Sequence, residues 1–363
     1  MLLTTAGISP TSATGKYTRD QIVESELSYL SNYQRVIINS GKISNKGWEI
    51  SVSGVPVKVK NFEWKTIFNW SKNNSMVESL PEGIDKIRIG SGVYNVKSYA
   101  EVGKPYGAIY AKTFKRDAEG YILCQLDGSP KEGQDYEYLG CVQADWRGGW
   151  NNVFRLGNFS FSVMFDFQKG GKFFSQTSIQ SSVDGQSVKS LEGRDADFFS
   201  RKILGESDEE RYGFMRPQNA NTPTANGQVY PDWGRPKGVV LPNCRYDEDV
   251  EGLAGQQVLG YCTPERYWMH YTSRDISRFI YDASYVKLRE ITVSYDLPKK
   301  WLRKTPFQTF RVAAVGRNIA TLFANTPHGL DPQATSTTGN AQGFERGFNL
   351  PSATYGFDIK VSF

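Results

Sequence analysis

Apolar and polar side chains alternate one by one along several stretches of this chain. In Asn158 to Gln168, Phe159, Phe161, Val163, Phe165 and Phe167 share one side, while Asn158, Ser160, Ser162, Met164, Asp166 and Gln168 share the other. Asn61 to Ser71 repeats the pattern, with Phe62, Trp64, Thr66, Phe68 and Trp70 on one side. Ala353 to Phe363 repeats it again, with Tyr355, Phe357, Ile359, Val361 and Phe363 against Gly356, Asp358, Lys360 and Ser362. A period of two over such lengths predicts strands with one apolar and one polar face. Seven strands are expected: Trp48–Val55, Asn61–Ser71, Trp146–Leu156, Asn158–Gln168, Tyr285–Leu297, Thr309–Ile319 and Ala353–Phe363. One or two more are expected around Tyr33–Asn39 or between Tyr94 and Phe114.

The lengths of the connections decide what these strands build. Leu156 reaches Asn158 through Gly157, and Tyr285–Leu297 reaches Thr309 through the short segment Pro298 to Lys304. By contrast, Gln168 reaches Tyr281 only after about a hundred residues, and Ala320 to Ser352 is long again. Short turns on one side and long loops on the other fit an antiparallel transmembrane β-barrel, whose apolar face meets lipid and whose polar face lines the lumen. Directions stay consistent from strand to strand provided that Lys72 to Asp145 contributes an even number of strands. The faces are aromatic enough for a lipid-facing band with belts at headgroup level. A strand ending on a terminal Phe looks like a barrel-sorting signal, carried here by Tyr355, Phe357, Ile359, Val361 and Phe363. The alternative is a secreted soluble β-sandwich that binds glycans, because sandwich strands alternate too.

In Tyr285–Leu297 the apolar phase slips from Val286 and Leu288 to Ile291, Val293 and Tyr295. Either a bulge lies near Arg289-Glu290 or the outer half stands above the membrane. The cost of placing Lys287 and Arg289 against lipid favours the second. Gly148-Gly149 and Gly170-Gly171 are expected at strand ends, where positive φ helps the chain reverse.

Composition fits without deciding. Mean hydropathy is −0.48 and no apolar run approaches the roughly 18 residues of a membrane helix, a test that half-apolar barrel strands evade. The formal net charge of +5 argues for no nucleic-acid partner. The cluster Lys299-Lys300-Trp301-Leu302-Arg303-Lys304 reads as a solvated turn. A barrel of about 22 strands needs more chain than 363 residues, and Met1 to Ala6 has neither the basic start nor the apolar run of a signal peptide. The expectation is therefore a C-terminal portion, residues 1–363, of one large barrel domain. It carries a long extracellular insertion at 171–280.

No catalytic constellation emerges, and no cofactor or metal is expected. His270 and His328 lie far apart and read as solvated loop residues. No nucleophile elbow accompanies them. Asp247, Glu248, Asp249 and Glu251 lack the spacing of a calcium loop. The cysteines fall into two local pairs, Cys124 with Cys141 and Cys244 with Cys262. Without a Cys-x-x-Cys they point to possible disulfides in exposed loops rather than to zinc. Trp233, Tyr267, Trp268 and Tyr271 in the longest loop are candidate ligand-binding residues, able to stack on sugar rings, or else they pack that loop. Asn158, Ser160, Asp166, Glu63 and Lys65 are candidates for lining the lumen.

An ordered series of segments carries a family resemblance. It runs from Asn45-Lys46-Gly47-Trp48-Glu49-Ile50 and Phe68-Asn69-Trp70-Ser71-Lys72-Asn73 through Val102 to Tyr110, Asp145-Trp146-Arg147-Gly148-Gly149 and Lys169-Gly170-Gly171-Lys172. It continues with Asp282 to Pro298, Gly316-Arg317-Asn318-Ile319, Gly329-Leu330-Asp331-Pro332 and Leu350-Pro351. In these segments the chain resembles the C-terminal barrel region of SusC/RagA-family TonB-linked outer-membrane proteins of Bacteroidetes. The resemblance covers roughly residues 40 to 363, with no match in the stretch from Gly171 to Tyr281, and it implies a plug and a TonB-contacting segment that are absent from residues 1–363. It implies an outer-membrane location among lipid and TonB-dependent import of a large nutrient, glycan or peptide. A SusD-like lipoprotein partner is implied too, and no enzymatic activity.

Overall fold

The computed structural model describes residues 41–91, 94–126, 128–191, 239–262, 264–327, 329–333, 342–347 and 352–363, and before these the backbone of four strands, residues 4–8, 12–18, 22–26 and 35–39. The four early strands are β1 (Thr4–Ile8), β2 (Ser12–Thr18), β3 (Ile22–Glu26) and β4 (Arg35–Asn39). Seven more run from β5 (Lys42–Val59) and β6 (Phe62–Ser79) through β7 (Lys86–Ser91), β8 (Lys97–Glu101), β9 (Ala108–Phe114) and β10 (Ile122–Cys124) to β11 (Glu132–Cys141). Then come β12 (Trp146–Leu156), β13 (Phe159–Lys169), β14 (Lys172–Ser175), β15 (Val239–Tyr246), β16 (Gln257–Cys262) and β17 (Ile280–Asp282). The last are β18 (Tyr285–Asp296), β19 (Thr309–Ala324), β20 (Phe344–Glu345) and β21 (Thr354–Ser362).

All seven strands expected from alternation fall into one antiparallel sheet of nine, in the order β1-β5-β6-β12-β13-β18-β19-β21, with β2 also on β5. The β12–β13 hairpin holds eleven consecutive pairs, from Trp146↔Lys169 to Leu156↔Phe159. Gly157 closes it at φ +57, the left-handed conformation that short hairpin turns need. An eleven-residue strand tilted by about 45° rises about 26 Å, enough for a hydrocarbon layer. Because β6 pairs directly with β12, the segment between them adds no strand to this sheet and the directions stay consistent. Barrel closure is not seen among the described residues, in which the sheet is open.

The register carries the apolar positions across the sheet as one band. Phe68, Trp150, Phe165 and Leu288 stand side by side, as do Trp64, Phe154, Phe161 and Val293. No second layer of the described residues covers them, and Phe161 and Val293 stay 40% and 47% exposed. Two polar residues interrupt the band at mid-height. Asn152 accepts a hydrogen bond from Trp64 Nε1 at 3.1 Å, and Thr66 Oγ1 accepts one from Trp150 Nε1 at 2.9 Å. Each polar interruption is thereby satisfied by an indole from the neighbouring strand.

Gly148 differs from its expected role. It lies inside β12 on the band face, where an added Cβ would come within 2.2 Å of the Phe167 ring. It is small because a ring lies across it, not because the chain turns there. Gly170 and Gly171 do reverse the chain, at φ +74 and +84.

On the long-loop side stands a folded cap. It contains a four-stranded sheet (β11-β9-β8-β7), two three-stranded sheets (β10-β15-β16 and β17-β14-β20), and helix α1 (Gln176–Val183). Ser175 caps α1, its Oγ accepting from Ser178 N at 3.0 Å. The buried Glu345 carboxylate reaches the same helix end, taking Ser175 Oγ at 2.6 Å and Thr177 N at 3.1 Å. A single apolar core joins these parts, including Phe114, Phe174, Ile179, Tyr246, Trp268 and Phe279. The insertion at 171–280 thus contributes a large part of a water-excluding core rather than an open loop; its residues 192–238 lie outside the described set.

The cysteines do not form the two expected local bridges. Cys141 is a free thiol at the end of β11, donating to the Tyr106 carbonyl at 3.4 Å and accepting from Gln143 N at 3.4 Å, and is not joined to Cys124. Cys244 pairs with Val258 across the β15–β16 ladder, whereas Cys262 pairs with Val239. Four residues of extended chain separate Cys262 from Val258, about 13 Å, beyond the roughly 7 Å that a disulfide spans between Cα atoms.

A candidate ligand-facing polar site on the inner wall

The face opposite the apolar band is polar, and its charges concentrate at the long-loop end of β12, β13 and β18. The β13–β18 register slips between Met164 and Phe165, where Glu290 and Leu288 are the successive partners and Arg289 is the extra residue. This is a β-bulge, so the apolar phase changes within the sheet. The favoured expectation of an outer half standing above the membrane is corrected accordingly. The bulge turns Arg289 inward with Lys287, away from the band, and so removes the cost of a lipid-facing cation.

Around the bulge a connected network forms. Asp166 accepts from Arg289 Nε at 3.2 Å and Tyr285 Oη at 3.3 Å, and is also paired with Arg289 Nη2. Arg289 Nη1 reaches Asn318 Oδ1 at 2.6 Å, and its Nη2 reaches Gln333 Oε1 at 2.7 Å. Lys287, 5% exposed, donates to both carboxylate oxygens of Asp331 at 2.6 Å and to Gln333 Oε1 at 3.0 Å. Gln333 Nε2 completes the ring by donating to Tyr285 Oη at 2.6 Å. A buried ammonium this well paired is tolerated; without Asp331 its desolvation would be uncompensated. The segment Asp331-Pro332-Gln333 from the last long loop is therefore fixed to the inner wall. Asp331-Pro332 does more than end a ladder.

Two concavities meet at this network. One of about 530 Å³ is bordered by Glu49, Ser51, Asn69, Ser71, Arg147 and Asp166. The other, about 380 Å³, is bordered by Arg147, Asp166, Gln168, Lys172, Tyr285 and Gln333, among others. Arg147 and Asp166 border both. Arg147 Nε donates to Gln168 Oε1 at 2.9 Å, and this orients its guanidinium. The surface offers donors and acceptors in fixed positions, suited to holding a polar ligand by hydrogen bonds. It holds no nucleophile activated by a neighbouring base. Among the described residues no group of three or more His, Cys, Asp or Glu is placed to bind a metal.

The sequence-based candidates separate sharply. Asp166 sits at the centre of the site. Glu63 lies at the short-turn end, paired with Lys58 at 3.0 Å, and Asn158 donates to the Asp296 carbonyl at 2.7 Å. Lys65 is exposed, and Ser160 is half-buried near the same end, with its Oγ shielded from solvent. Tyr267, Trp268 and Tyr271 are 1%, 1% and 2% exposed in the cap core, so they pack the insertion and are corrected as ligand-stacking candidates. Trp233 and His328 lie outside the described residues. Asp247 is buried between Lys115 and Lys131, at 2.9 and 2.8 Å. Burial alone would raise its pKa, but hydrogen bonds from Lys131, Lys115 and the Glu248 amide outweigh this and hold it at about 2. Lys287, Arg289, Asp331, Gln333, Tyr285 and Arg147 were not singled out as site residues. The signals for them were the phase slip in β18 and the Gly-Leu-Asp-Pro segment.

The chain is strand-rich and all-β, with one apolar and one polar sheet face, and among its described residues no helix is long and apolar enough to cross a membrane. No family model matches the chain. It is 23% identical over 360 residues to TonB-dependent receptor P3 of Formosa agariphila, an alignment covering 93% of this chain and 30% of that protein. It is 21% identical over 208 residues to TonB-dependent receptor P39 of the same organism, covering 44% of this chain and 20% of that one. Its fold matches a structure of the RagAB peptide transporter with TM-score 0.59 at 15% identity, covering 97% of this chain and 33% of that one. The RagAB peptide importer in its closed-closed state gives 0.56 at 17% identity, over 96% and 33%. The chain is thus similar in sequence to TonB-dependent receptors and shares the fold of the RagAB peptide transporter, and it spans about a third of the length of receptor P3 and of the RagAB chain. These relatives are receptors and transporters rather than enzymes.

Proposed function

We propose that this chain forms part of the wall and extracellular cap of a plugged outer-membrane β-barrel of about 22 strands that imports a large polar nutrient, an oligosaccharide or a peptide, in a TonB-dependent manner. The observation that carries this is the one-sided band. Aromatic and aliphatic residues line one face of successive strands over about the height of a hydrocarbon core, uncovered by any described layer, while the other face is polar and charged. A sandwich would set a second sheet against that face. The inner-wall network offers hydrogen-bonding groups toward the lumen, and the cap supplies a surface on which a SusD-like lipoprotein can close. The similarity to TonB-dependent receptors supports the same reading.

The test is fractionation of cells expressing the protein that carries this chain, followed by electrophoresis with and without boiling. An outer-membrane band that shifts on heating is the expected result. A soluble, unshifted protein would overturn the barrel. For import, deletion of the gene should slow growth on the peptide or oligosaccharide taken up, and unchanged growth on every such nutrient would overturn it.

A further inference from the structure

The short-turn ends of the hairpins form a basic rim, and the segment between β18 and β19 dominates it. Lys299–Leu302 folds as one helical turn, closed by a hydrogen bond from Trp301 N to the Pro298 carbonyl at 2.9 Å. Leu302 is buried, and its carbonyl takes Thr305 N at 2.9 Å and Thr305 Oγ1 at 2.8 Å. With Leu302 as the inward anchor, Lys299, Lys300, Arg303 and Lys304 all stand in solvent, and Trp301 is 60% exposed. The β18–β19 turn therefore has a fixed conformation that presents an indole and four cations outward.

The neighbouring turns extend the same surface. Lys58, Lys60 and Arg155 are exposed at the ends of the adjacent hairpins, which the register aligns with Tyr295 and so with this turn. The two acids at these ends, Glu63 and Asp296, are engaged by Lys58 at 3.0 Å and by Arg311 at 2.6 Å. The cations begin where the apolar band stops, beside exposed Phe159 and the contacting rings of Phe307, Phe310 and Phe363. An aromatic row followed outward by exposed cations, of which only Lys58 is paired with an acid of this rim, matches the order of layers at a lipid surface, acyl chain, then glycerol, then phosphate.

We propose that this rim is a docking surface for the headgroups of anionic phospholipid in the leaflet that meets the short turns. Trp301 sits at the glycerol level, and Lys299, Lys300, Arg303 and Lys304 reach the phosphates. The proposal rests on the barrel reading above and goes beyond it, because lipid contact by the band requires no selectivity for headgroup charge. A phospholipid is favoured over a soluble anion by the exposed Trp301, which has no use for a dissolved phosphate but belongs at an interface.

The protein that carries this chain, extracted from outer membranes in detergent, is incubated with equal amounts of phosphatidylglycerol and phosphatidylcholine, and retained lipid is counted by native mass spectrometry. The expected result is about tenfold preference for phosphatidylglycerol, falling toward parity in the K299Q/K300Q/R303Q/K304Q variant and surviving in a variant with arginine at all four positions. K58Q/K60Q should lower the preference partially, and added salt should weaken it in the wild type. Unchanged preference in the glutamine variant would overturn the proposal, as would full displacement by inorganic phosphate, which would assign the rim to a soluble anion. The heat shift on gels is recorded for every sample. A wild type without it fails the barrel reading, whereas a heat-shifting protein with no lipid preference fails only this inference.

Discussion

Aromatic residues meet two opposite fates in this molecule. In the cap, Phe114, Trp268 and Phe279 are each 1% exposed, enclosed by strands and helices on all sides. In the nine-stranded wall, Phe159 and Trp150 are 57% and 43% exposed, ordered by pairing to the next strand rather than by a core. The cap is stabilised by removing apolar surface from water within the protein. The wall leaves that surface outside, which is stable only where the surroundings are themselves apolar. Rings on the wall touch along the band face instead, as in the Trp64–Phe154 and Phe154–Phe161 stacks at 5.9 and 6.1 Å. The fate of a Phe in this chain is thus set by which solvent its sheet face meets, and substitutions that treat the two regions differently test the contrast.

The largest effect is expected in the cap core. Trp268 packs edge-on against Tyr267, with ring centroids 5.1 Å apart, and Trp268→Ala leaves a cavity that should cost about 3–5 kcal/mol. Limited proteolysis should cut the cap at lower temperature, while the heat shift of the barrel on gels persists. Loss of both together would show that cap and wall fold as one unit and would break the comparison.

The next effect is a difference between adjacent residues of β13. Val163 lies on the band face near mid-height, opposite Asn152 and Ile291, whereas Ser162 faces inward opposite Val153 and Thr292. Val163→Arg should cost about 2–4 kcal/mol in the bilayer, and Ser162→Arg little. The folded fraction in vesicles, titrated with urea, reads the difference. Equal effects would mean that the band does not face lipid.

Asp247 gives the cap an acid dependence of its own. Its pKa is lowered from 3.8 to about 2, so the folded state binds its proton less readily than the unfolded chain. The associated stability, about 2 kcal/mol, is present above pH ~4 and is lost as pH falls through about 2. In Asp247→Asn the cap should lose stability at neutral pH and lose this component of its acid dependence. An unaltered acid profile in the variant would remove Asp247 from the cap's stability.

The wall was legible in the sequence because its signal is simple. Phe159 to Gln168 alternates with only Met164 out of phase, and each such strand was found in the sheet. Where a strand breaks its own period the signal was ambiguous, and the site lies at such a place. Lys287 and Arg289 read as lipid-facing or above the membrane, because only the register with β13 and β19 reveals the bulge that turns them inward. Asp331 and Gln333 join them from more than forty residues away, a contact that no local pattern encodes. The cap was illegible for a different reason. Its strands, such as Ile122–Cys124 and Lys172–Ser175, are short and buried on both faces, so they show no alternation. Its aromatics, Tyr267 and Trp268 among them, look the same in sequence whether they bind a ligand or pack a core.

The smallest effect concerns one of the two polar residues that interrupt the apolar band. Asn152 is 3% exposed, and its side-chain oxygen takes the Trp64 indole N–H at 3.1 Å. In hydrocarbon neither group has water as an alternative partner, which would suggest a strong bond. Hydrogen bonds between membrane-embedded side chains nevertheless couple by only about 0.6 kcal/mol on average, because the less folded state finds partners too. A double-mutant cycle of Asn152→Val and Trp64→Phe, measured by urea titration in vesicles, should return a coupling of that size. The same cycle applied to Lys131 and Asp247 in the cap should return a larger one, since that pair is charged and its carboxylate is buried. A wall coupling equal to or above the cap coupling would reverse the contrast between the two regions. It would mean that this part of the wall is held by its polar contacts and that the apolar band is only its covering.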